Sequence, residues 1–190
     1  MDGQQLLNLA SQHIGEKYLL GTFVPKNSSG WHGPWDCAEF LSWAVYQTSG
    51  KLYECYNDLG NPAIADAYTG YWKENSGNLG NTITIEQAIR TPGAAILRAA
   101  PTGLIGHIVF SDRNFGTIEA RSHLDGVVKG VVNGRRWDYG ILVPWITYNA
   151  SAEVPYVAPS YIIYRFMQPM MVSEKIGEIQ KALTDAGFDT

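Results

Sequence analysis

The segment that decides the fold is Pro34-Trp35-Asp36-Cys37-Ala38-Glu39-Phe40-Leu41. From Cys37 onward the apolar residues recur at helical spacing, which predicts an amphipathic helix that ends near residue 47. Asp36 stands at the N-cap position, and Glu39 three residues later completes the pattern of a capping box. A thiol in the first turn faces the positive end of the helix dipole, which favours the nucleophilic thiolate. The segment therefore predicts a reactive cysteine.

Composition limits the classes of function. The 190 residues suit one domain of ordinary size with a short extension, and a formal net charge of −4 argues against nucleic acid as a partner. No apolar stretch is long enough to cross a bilayer, so we expect no membrane insertion.

A bridge between the two cysteines, Cys37 and Cys55, would consume the thiol at the helix start, so we expect neither to be in a disulfide. No His, Cys or Asp cluster has the spacing of metal ligands, so we expect no metal and no cofactor.

The order of elements predicts an α+β fold, with N-terminal helices packed on a central antiparallel sheet. Helices are expected at residues 3–14 and 37–47, followed by a long irregular excursion with one short helix near 61–73. After Pro92-Gly93 the pattern changes to short strands bounded by Gly, Pro or Asn, at residues 94–98, 105–111, 117–121, 127–132, 141–143 and 161–166.

A nucleophilic cysteine needs a base that accepts its proton, and histidine suits this task near neutral pH. His13 lies in the first predicted helix and His32 in a loop, whereas His107 begins a predicted strand. A strand packed on the cysteine helix holds a base rigidly, so we select His107.

The hairpin formed by the predicted strands at 107–111 and 117–121 supplies a third group. With the loop centred near Arg113, His107 stands opposite Glu119 on the same face of the sheet. A carboxylate there could hold the imidazole in one tautomer and stabilise its charged form. The alternative, a solvated Glu119 beside a structural His107, stays open on residue types alone.

Five segments, in this order, resemble the NlpC/P60 family of cell-wall peptidases, which are papain-like cysteine hydrolases. The segments are Gly15-Glu16-Lys17-Tyr18-Leu19-Leu20-Gly21, Asp36-Cys37-Ala38-Glu39-Phe40, Pro92-Gly93-Ala94-Ala95-Ile96-Leu97, Gly106-His107-Ile108-Val109-Phe110 and Ile118-Glu119-Ala120. The resemblance implies that Cys37 is the nucleophile, His107 the general base and Glu119 the residue that orients the histidine. It also implies that Tyr18 and Asp36 bind substrate, and that the backbone N–H of Cys37 contributes to an oxyanion hole.

Three features depart from the family pattern. The family usually has His, Asn or Gln in the third position, where this chain has Glu119. Ala38 and Glu39 replace a small Ser-Gly pair, so Glu39 is expected to narrow or charge the floor of the site. The excursion at residues 53–81 is not a general family feature, and we expect it to shape substrate choice.

The resemblance implies a cysteine endopeptidase that hydrolyses peptidoglycan stem peptides, at the γ-D-glutamyl–diamino acid bond, through a thioester acyl-enzyme. Such an enzyme acts at the bacterial cell wall, outside the cytoplasm. The chain has no signal peptide, so delivery would occur by lysis, injection or non-classical export, and an inhibitor or immunity protein would be a partner if it is a toxin. Two alternatives stay open: an N-acetylmuramoyl-L-alanine amidase like those of the CHAP group, and a catalytically silent wall-binding module.

The C-terminal residues have a different character. An amphipathic pattern that starts after Ser173 and ends at Gly187 resembles the first helix of a type 1 peptidoglycan-binding domain. The predicted organisation is therefore a catalytic domain at 1–168, followed at 169–190 by a linker and the first helix of a truncated binding module.

Overall fold

A computed structural model describes residues 1–56, 60–101 and 104–148, which belong to one compact unit, Met1–Glu153. This unit contains four helices and six strands within the described ranges. In chain order they are α1 (Gly3–Ser11), α2 (Cys37–Ser49), α3 (Thr69–Leu79), β1 (Thr82–Ile83), α4 (Ile85–Ala88), β2 (Ala95–Arg98), β3 (His107–Ser111), β4 (Gly116–Ser122), β5 (Gly126–Val131) and β6 (Tyr139–Ile141). No helix among them is long and apolar enough to cross a membrane.

The strands form one antiparallel sheet in the order β1-β6-β2-β3-β4-β5. Strands β2 to β5 follow each other as a meander, and β6 returns to pair with β2 at the other side. The helices precede the meander and α2 packs on it, so the predicted α+β class is confirmed. The predicted strand at 161–166, the domain boundary at 168 and the helix after Ser173 lie outside the described residues.

Helix α2 is the centre of the core. Ten of its thirteen residues are buried, because α1 covers one side of the helix and strands β3 and β4 cover another. Phe40 meets Phe110 across the interface, and both side chains are fully buried. Helix α2 ends at Gly50, whose positive φ of 69° favours a residue without a Cβ. The sheet and the apolar face of α2 therefore fix where Cys37 lies.

Two predicted helices are placed differently in the structure. Helix α1 ends at Ser11, before the predicted end at residue 14. The helix of the excursion is α3, at Thr69–Leu79, not near 61–73. The amide oxygen of Asn61 accepts a hydrogen bond from the Ala63 N–H, and this Asx turn ahead of the helix competes with helical bonding.

The register of the β3–β4 hairpin also differs from the prediction. Phe110 pairs with Ile118 and Ser111 with Thr117, so the turn is centred one residue later than expected. Arg113, Asn114 and Phe115 all have a positive φ and form the turn. In this register His107 is level with Arg121, and Glu119 lies diagonally across from it. The shift is two residues between strands, so His107 and Glu119 keep the same face.

Candidate active site

Asp36 places Cys37 at the start of α2. Its carboxylate accepts a hydrogen bond from the Glu39 N–H at 2.8 Å, which confirms its capping position. The Glu39 side chain does not return to the Asp36 backbone, so only half of the predicted capping box forms. Burial raises the pKa of Asp36 to about 6, although hydrogen bonds from the backbone of Glu39, Gly21 and Ala38 offset part of the rise.

Burial of Cys37 opposes the activation that its place at the start of α2 predicts. The residue is only 4% exposed, and burial together with the negative charge of Asp36 raises the pKa of the thiol to about 12. The backbone N–H groups of Ile108, Ala38 and Cys37 itself lower the pKa, but by less. Desolvation of a charge outweighs the helix dipole here. A thiol with a raised pKa needs a base before its sulfur can act as a nucleophile.

Tyr18 lies on the segment beside the start of α2. The Leu19 N–H donates to the Trp35 carbonyl at 2.8 Å, and the Trp35 N–H donates to the Lys17 carbonyl at 2.9 Å. This two-residue ladder keeps the Tyr18 ring near the helix start. Burial, then the charges of Cys37 and Asp36, raise the pKa of Tyr18, so its hydroxyl stays a hydrogen-bond donor. The structure thus brings Tyr18, Asp36 and Cys37 together.

His107 and Glu119 form a direct buried pair. Nε2 of His107 lies 2.7 Å from Oε2 of Glu119, and the two residues are 5% and 0% exposed. Burial lowers the pKa of His107 below its ordinary range, and the positive charges of Arg135 and Arg98 lower it further, against the opposing effect of Glu119. His107 is therefore neutral near neutral pH, the state that a general base requires.

Cys37 reaches the same strand as this pair. The sulfur lies by the backbone N–H of Ile108, one residue beyond His107. Among the described residues, no hydrogen bond joins the thiol to the His107 ring. Catalytic hydrogen bonds are often long in a free enzyme and shorten when substrate binds. The diagonal pairing of His107 with Glu119 leaves Nδ1 of the imidazole available for such a contact.

Glu119 receives more donors than the sequence predicts. Arg135 binds both of its oxygens, with Nη1 2.7 Å from Oε1 and Nη2 2.9 Å from Oε2. The Thr117 hydroxyl donates to Oε1 at 2.8 Å, and Arg121 donates to the same oxygen at 3.2 Å. Burial alone would raise the pKa of Glu119, but the bonds from His107 and Arg135 hold it well below its ordinary range. The carboxylate is therefore ionised and fixed in orientation.

Gly130 on β5 makes this arrangement sterically feasible. A methyl group added at Gly130 would overlap the side chains of Arg121 and Glu119. Trp137 then covers the cluster: its ring lies 4.6 Å from the Arg135 guanidinium carbon, and its centroid is 6.0 Å from that of His107. Sequence reasoning missed Arg135 and Trp137. The available signal was the run Arg135-Arg136-Trp137 in a chain of net negative charge.

Glu39 does not form the floor of the site, contrary to the prediction. Its carboxylate is fully buried and accepts from Lys26 Nζ at 2.6 Å, from the Val24 N–H at 2.9 Å and from the Ala67 N–H at 2.6 Å. Lys26 also donates to the carbonyls of Val24 and Ala65, both at 2.8 Å. Glu39 and Lys26 therefore attach the excursion to α2, which is a structural role.

A second cluster of polar side chains, His13, Glu16 and His32, lies next to Trp35. Nδ1 of His13 is 2.9 Å from Glu16 Oε2, and Nδ1 of His32 is 2.8 Å from Glu16 Oε1. Their ligand atoms lie within 4.8 Å of one another, a grouping that sequence spacing does not predict. The Trp35 indole also donates to Glu16. Both carboxylate oxygens are thus occupied by protein donors, and the cluster fastens the residues before Asp36. Neither Cys37 nor Cys55 is in a disulfide bond.

Comparison with solved structures identifies the fold. The chain is similar to the NlpC/p60 domain of the peptidoglycan hydrolase SagA, with a TM-score of 0.52 and 22% identity over 75% of this chain and 100% of that one. NlpC1 from Trichomonas vaginalis matches at 0.49 and 18% identity, over 77% of this chain and 44% of that one. The peptidoglycan hydrolase RipB from Mycobacterium tuberculosis matches at 0.49 and 16%, over 74% and 63%. No family model matches the sequence, and no curated protein does. The chain has the fold of an NlpC/p60 domain, as predicted.

Proposed function

We propose that this protein is a peptidoglycan hydrolase of the NlpC/P60 type, a cysteine endopeptidase that cuts stem peptides. The observation that carries the proposal is the pairing of a neutral, oriented His107 with Glu119 on the strand whose backbone contacts the Cys37 sulfur. The fold shared with a peptidoglycan hydrolase domain supports the choice of substrate. The γ-D-glutamyl–diamino acid bond is the expected target.

In the first step, substrate brings the imidazole Nδ1 and the thiol together, and His107 accepts the thiol proton as the sulfur attacks the amide carbon. The carbon–nitrogen bond breaks, the same proton passes to the departing amine, and a thioester remains on Cys37. Water then attacks the thioester carbon and gives one proton to His107. The carbon–sulfur bond breaks, the acid product leaves, and the proton returns to the sulfur. Glu119 and Arg135 stay ionised throughout and hold the ring.

The roles of Asp36 and Tyr18 follow from their positions. Asp36 faces the first turn of α2. A positively charged substrate amine bound there would favour the ionised carboxylate and so lower the raised pKa of Asp36. Tyr18 keeps its proton and can donate to the developing oxyanion together with the Cys37 N–H. Both groups thereby act on the acyl side of the scissile bond.

The test is release of soluble fragments from purified peptidoglycan by the wild type and by Cys37→Ala. The variant is expected to lose at least about 10³-fold in rate, because no other group forms the acyl-enzyme. Cys55→Ala is the matched control, since the second thiol is not part of the site. Undiminished cleavage by Cys37→Ala would contradict the proposal.

Mass spectrometry of the products separates the endopeptidase from the amidase alternative. New N-terminal diamino acids are expected for the endopeptidase, and free lactyl ends of muramic acid would indicate the amidase. Slow alkylation of Cys37 by iodoacetamide does not by itself favour a silent module, because burial already keeps the thiol protonated.

A further inference from the structure

A basic cleft of 430 Å³ lies beside the His107–Glu119 pair. We call it the arginine cleft; its lining residues are Arg98, His107, Arg121, Val131 and Arg135. Three guanidinium groups on one small surface repel one another unless an anion lies between them. The lining residues include no carboxylate, and Glu119, which accepts from Arg121 and Arg135, is fully buried.

The sheet register explains how the arginines meet. Arg98 on β2 pairs directly with His107 on β3, and Arg121 on β4 reaches Glu119, the partner of His107, with Nη2 3.2 Å from Oε1. Arg98, His107 and Arg121 therefore lie on one face of the sheet. Arg135 comes from the segment between β5 and β6 and adds a fourth group.

One carboxylate does not neutralise three arginines. Glu119 already accepts from His107, Thr117, Arg121 and Arg135, so its oxygens have no further capacity. Arg98 has no ion pair with any acid in the described part of the chain. Asp138, the residue before β6, accepts hydrogen bonds from the Ala99 N–H at 2.7 Å and from Arg136 at 3.4 Å.

The position of the cleft indicates which part of a substrate it meets. His107 lines the cleft and Cys37 does not. In an acyl transfer the group that protonates the leaving nitrogen must face the amine side of the scissile bond. The arginine cleft therefore adjoins the residue that leaves with the amine. Half-buried arginines favour a planar carboxylate, which they bind by paired hydrogen bonds.

We propose that the arginine cleft binds a free carboxylate on the amine-side residue of the substrate, and so selects stem peptides in which this carboxyl group is not amidated. This inference rests on the proposed function for the site and adds its preference for an acidic substrate. Arg98 contributes most to the discrimination, because Arg121 and Arg135 already bind Glu119.

The experiment compares two peptides, L-alanyl-γ-D-glutamyl-diaminopimelate and the same peptide with the distal carboxyl group of diaminopimelate amidated. A charge-assisted hydrogen bond corresponds to about 10-fold or more in kcat/KM, so wild type should cleave the acid at least about 10-fold better. Arg98→Gln should lower kcat/KM for the acid by about 10-fold more than it lowers kcat/KM for the amide.

Lys129→Gln is the matched control. Lys129 pairs with Ile118, so it lies on the opposite face of the sheet from Glu119. Its substitution by glutamine removes one positive charge, as Arg98→Gln does. It should change neither substrate by more than about twofold. Thermal melts of both variants check that they are folded.

Three outcomes separate the two proposals. Equal cleavage of acid and amide by wild type would overturn the arginine cleft as a carboxylate site and leave the proposed function intact. Cleavage of neither peptide, nor of peptidoglycan, would overturn the proposed function. In that case free diaminopimelate is titrated into Cys37→Ala by calorimetry. Binding that Arg98→Gln abolishes would support the carboxylate site, and no binding would overturn it.

Discussion

Two glutamates in this protein are equally buried, yet their pKa values shift in opposite directions. Glu39 in α2 and Glu119 in β4 are both fully buried, and each lies beside a cation. Burial raises the pKa of Glu39 to about 7, whereas the pKa of Glu119 lies well below its ordinary range. Burial alone therefore does not decide whether a carboxylate stays charged.

The difference lies in the donors. Glu39 has one ammonium group and two backbone N–H groups, and its bonds join α2 to loops that surround it. Glu119 has a two-pronged guanidinium, a second arginine, a hydroxyl and an imidazole. Two of its cations are partly exposed, so they are less costly to charge than the buried Lys26. Glu39 anchors loops to α2, whereas Glu119 orients His107, the proposed general base.

Glu119→Gln should have the largest effect on activity. An amide cannot accept the same set of bonds, so the His107 ring loses its fixed orientation and the arginines lose their counter-charge. We expect kcat to fall by about 10²–10⁴-fold, the range associated with a general base. Steady-state kinetics measure the fall, and urea unfolding checks stability. If the variant keeps wild-type kcat, Glu119 is only structural, like Glu39.

Lys26→Met should show the reverse pattern. It leaves the Glu39 carboxyl buried without its cation, which is expected to lower the free energy of unfolding by about 3–5 kcal/mol. The folded fraction should keep kcat within about twofold, because Lys26 contacts no reacting group. Urea unfolding gives the stability, and Lys129→Met, an exposed lysine, should change it by no more than about 0.5 kcal/mol. A large loss of kcat in folded Lys26→Met would erase the distinction between the two glutamates.

The pH dependence of kcat/KM tests the state of the base that Glu119 orients. Burial lowers the pKa of His107, so the base stays neutral at lower pH and the acid limb should lie below about pH 6.5. The thiol has a pKa of about 12, so no second rise is expected between about pH 7 and pH 9. A rise near pH 8.5 would mean that a free thiolate is the attacking species and that the thiol is less buried than described.

Asp36→Asn should have the smallest effect on the free energy of unfolding. Asparagine is an equally good N-cap, so the stability of α2 should change by only a few tenths of a kcal/mol. The substitution removes the negative charge that raises the pKa of Cys37, and alkylation by iodoacetamide should become a few-fold faster at fixed pH. Asp36→Ala, which removes charge and cap together, is the comparison. Unchanged alkylation in both variants would mean that burial alone keeps the thiol protonated.

The sequence was informative wherever local pattern and local structure coincide. The apolar spacing after Cys37 and the cap at Asp36 predict α2, and the alternation in the meander predicts the shared face of His107 and Glu119. The hairpin register was wrong because Arg113, Asn114 and Phe115 adopt positive φ values, which non-glycine residues do not signal.

Other parts of the site depend on contacts between distant residues. Arg135 reaches Glu119 only because β5 returns the chain to β4, and no local periodicity encodes that contact. The raised pKa of Cys37 has the same origin. The dipole of α2 is a local property, but desolvation of the thiol depends on the packing of the entire core.

The raised pKa of Cys37 also affects how fast its thiol is oxidised. Peroxides and disulfides react with thiolates far faster than with thiols, and access limits the reaction further. The proposed nucleophile is 4% exposed and its pKa is raised, so the thiol should react slowly with oxidants between catalytic cycles.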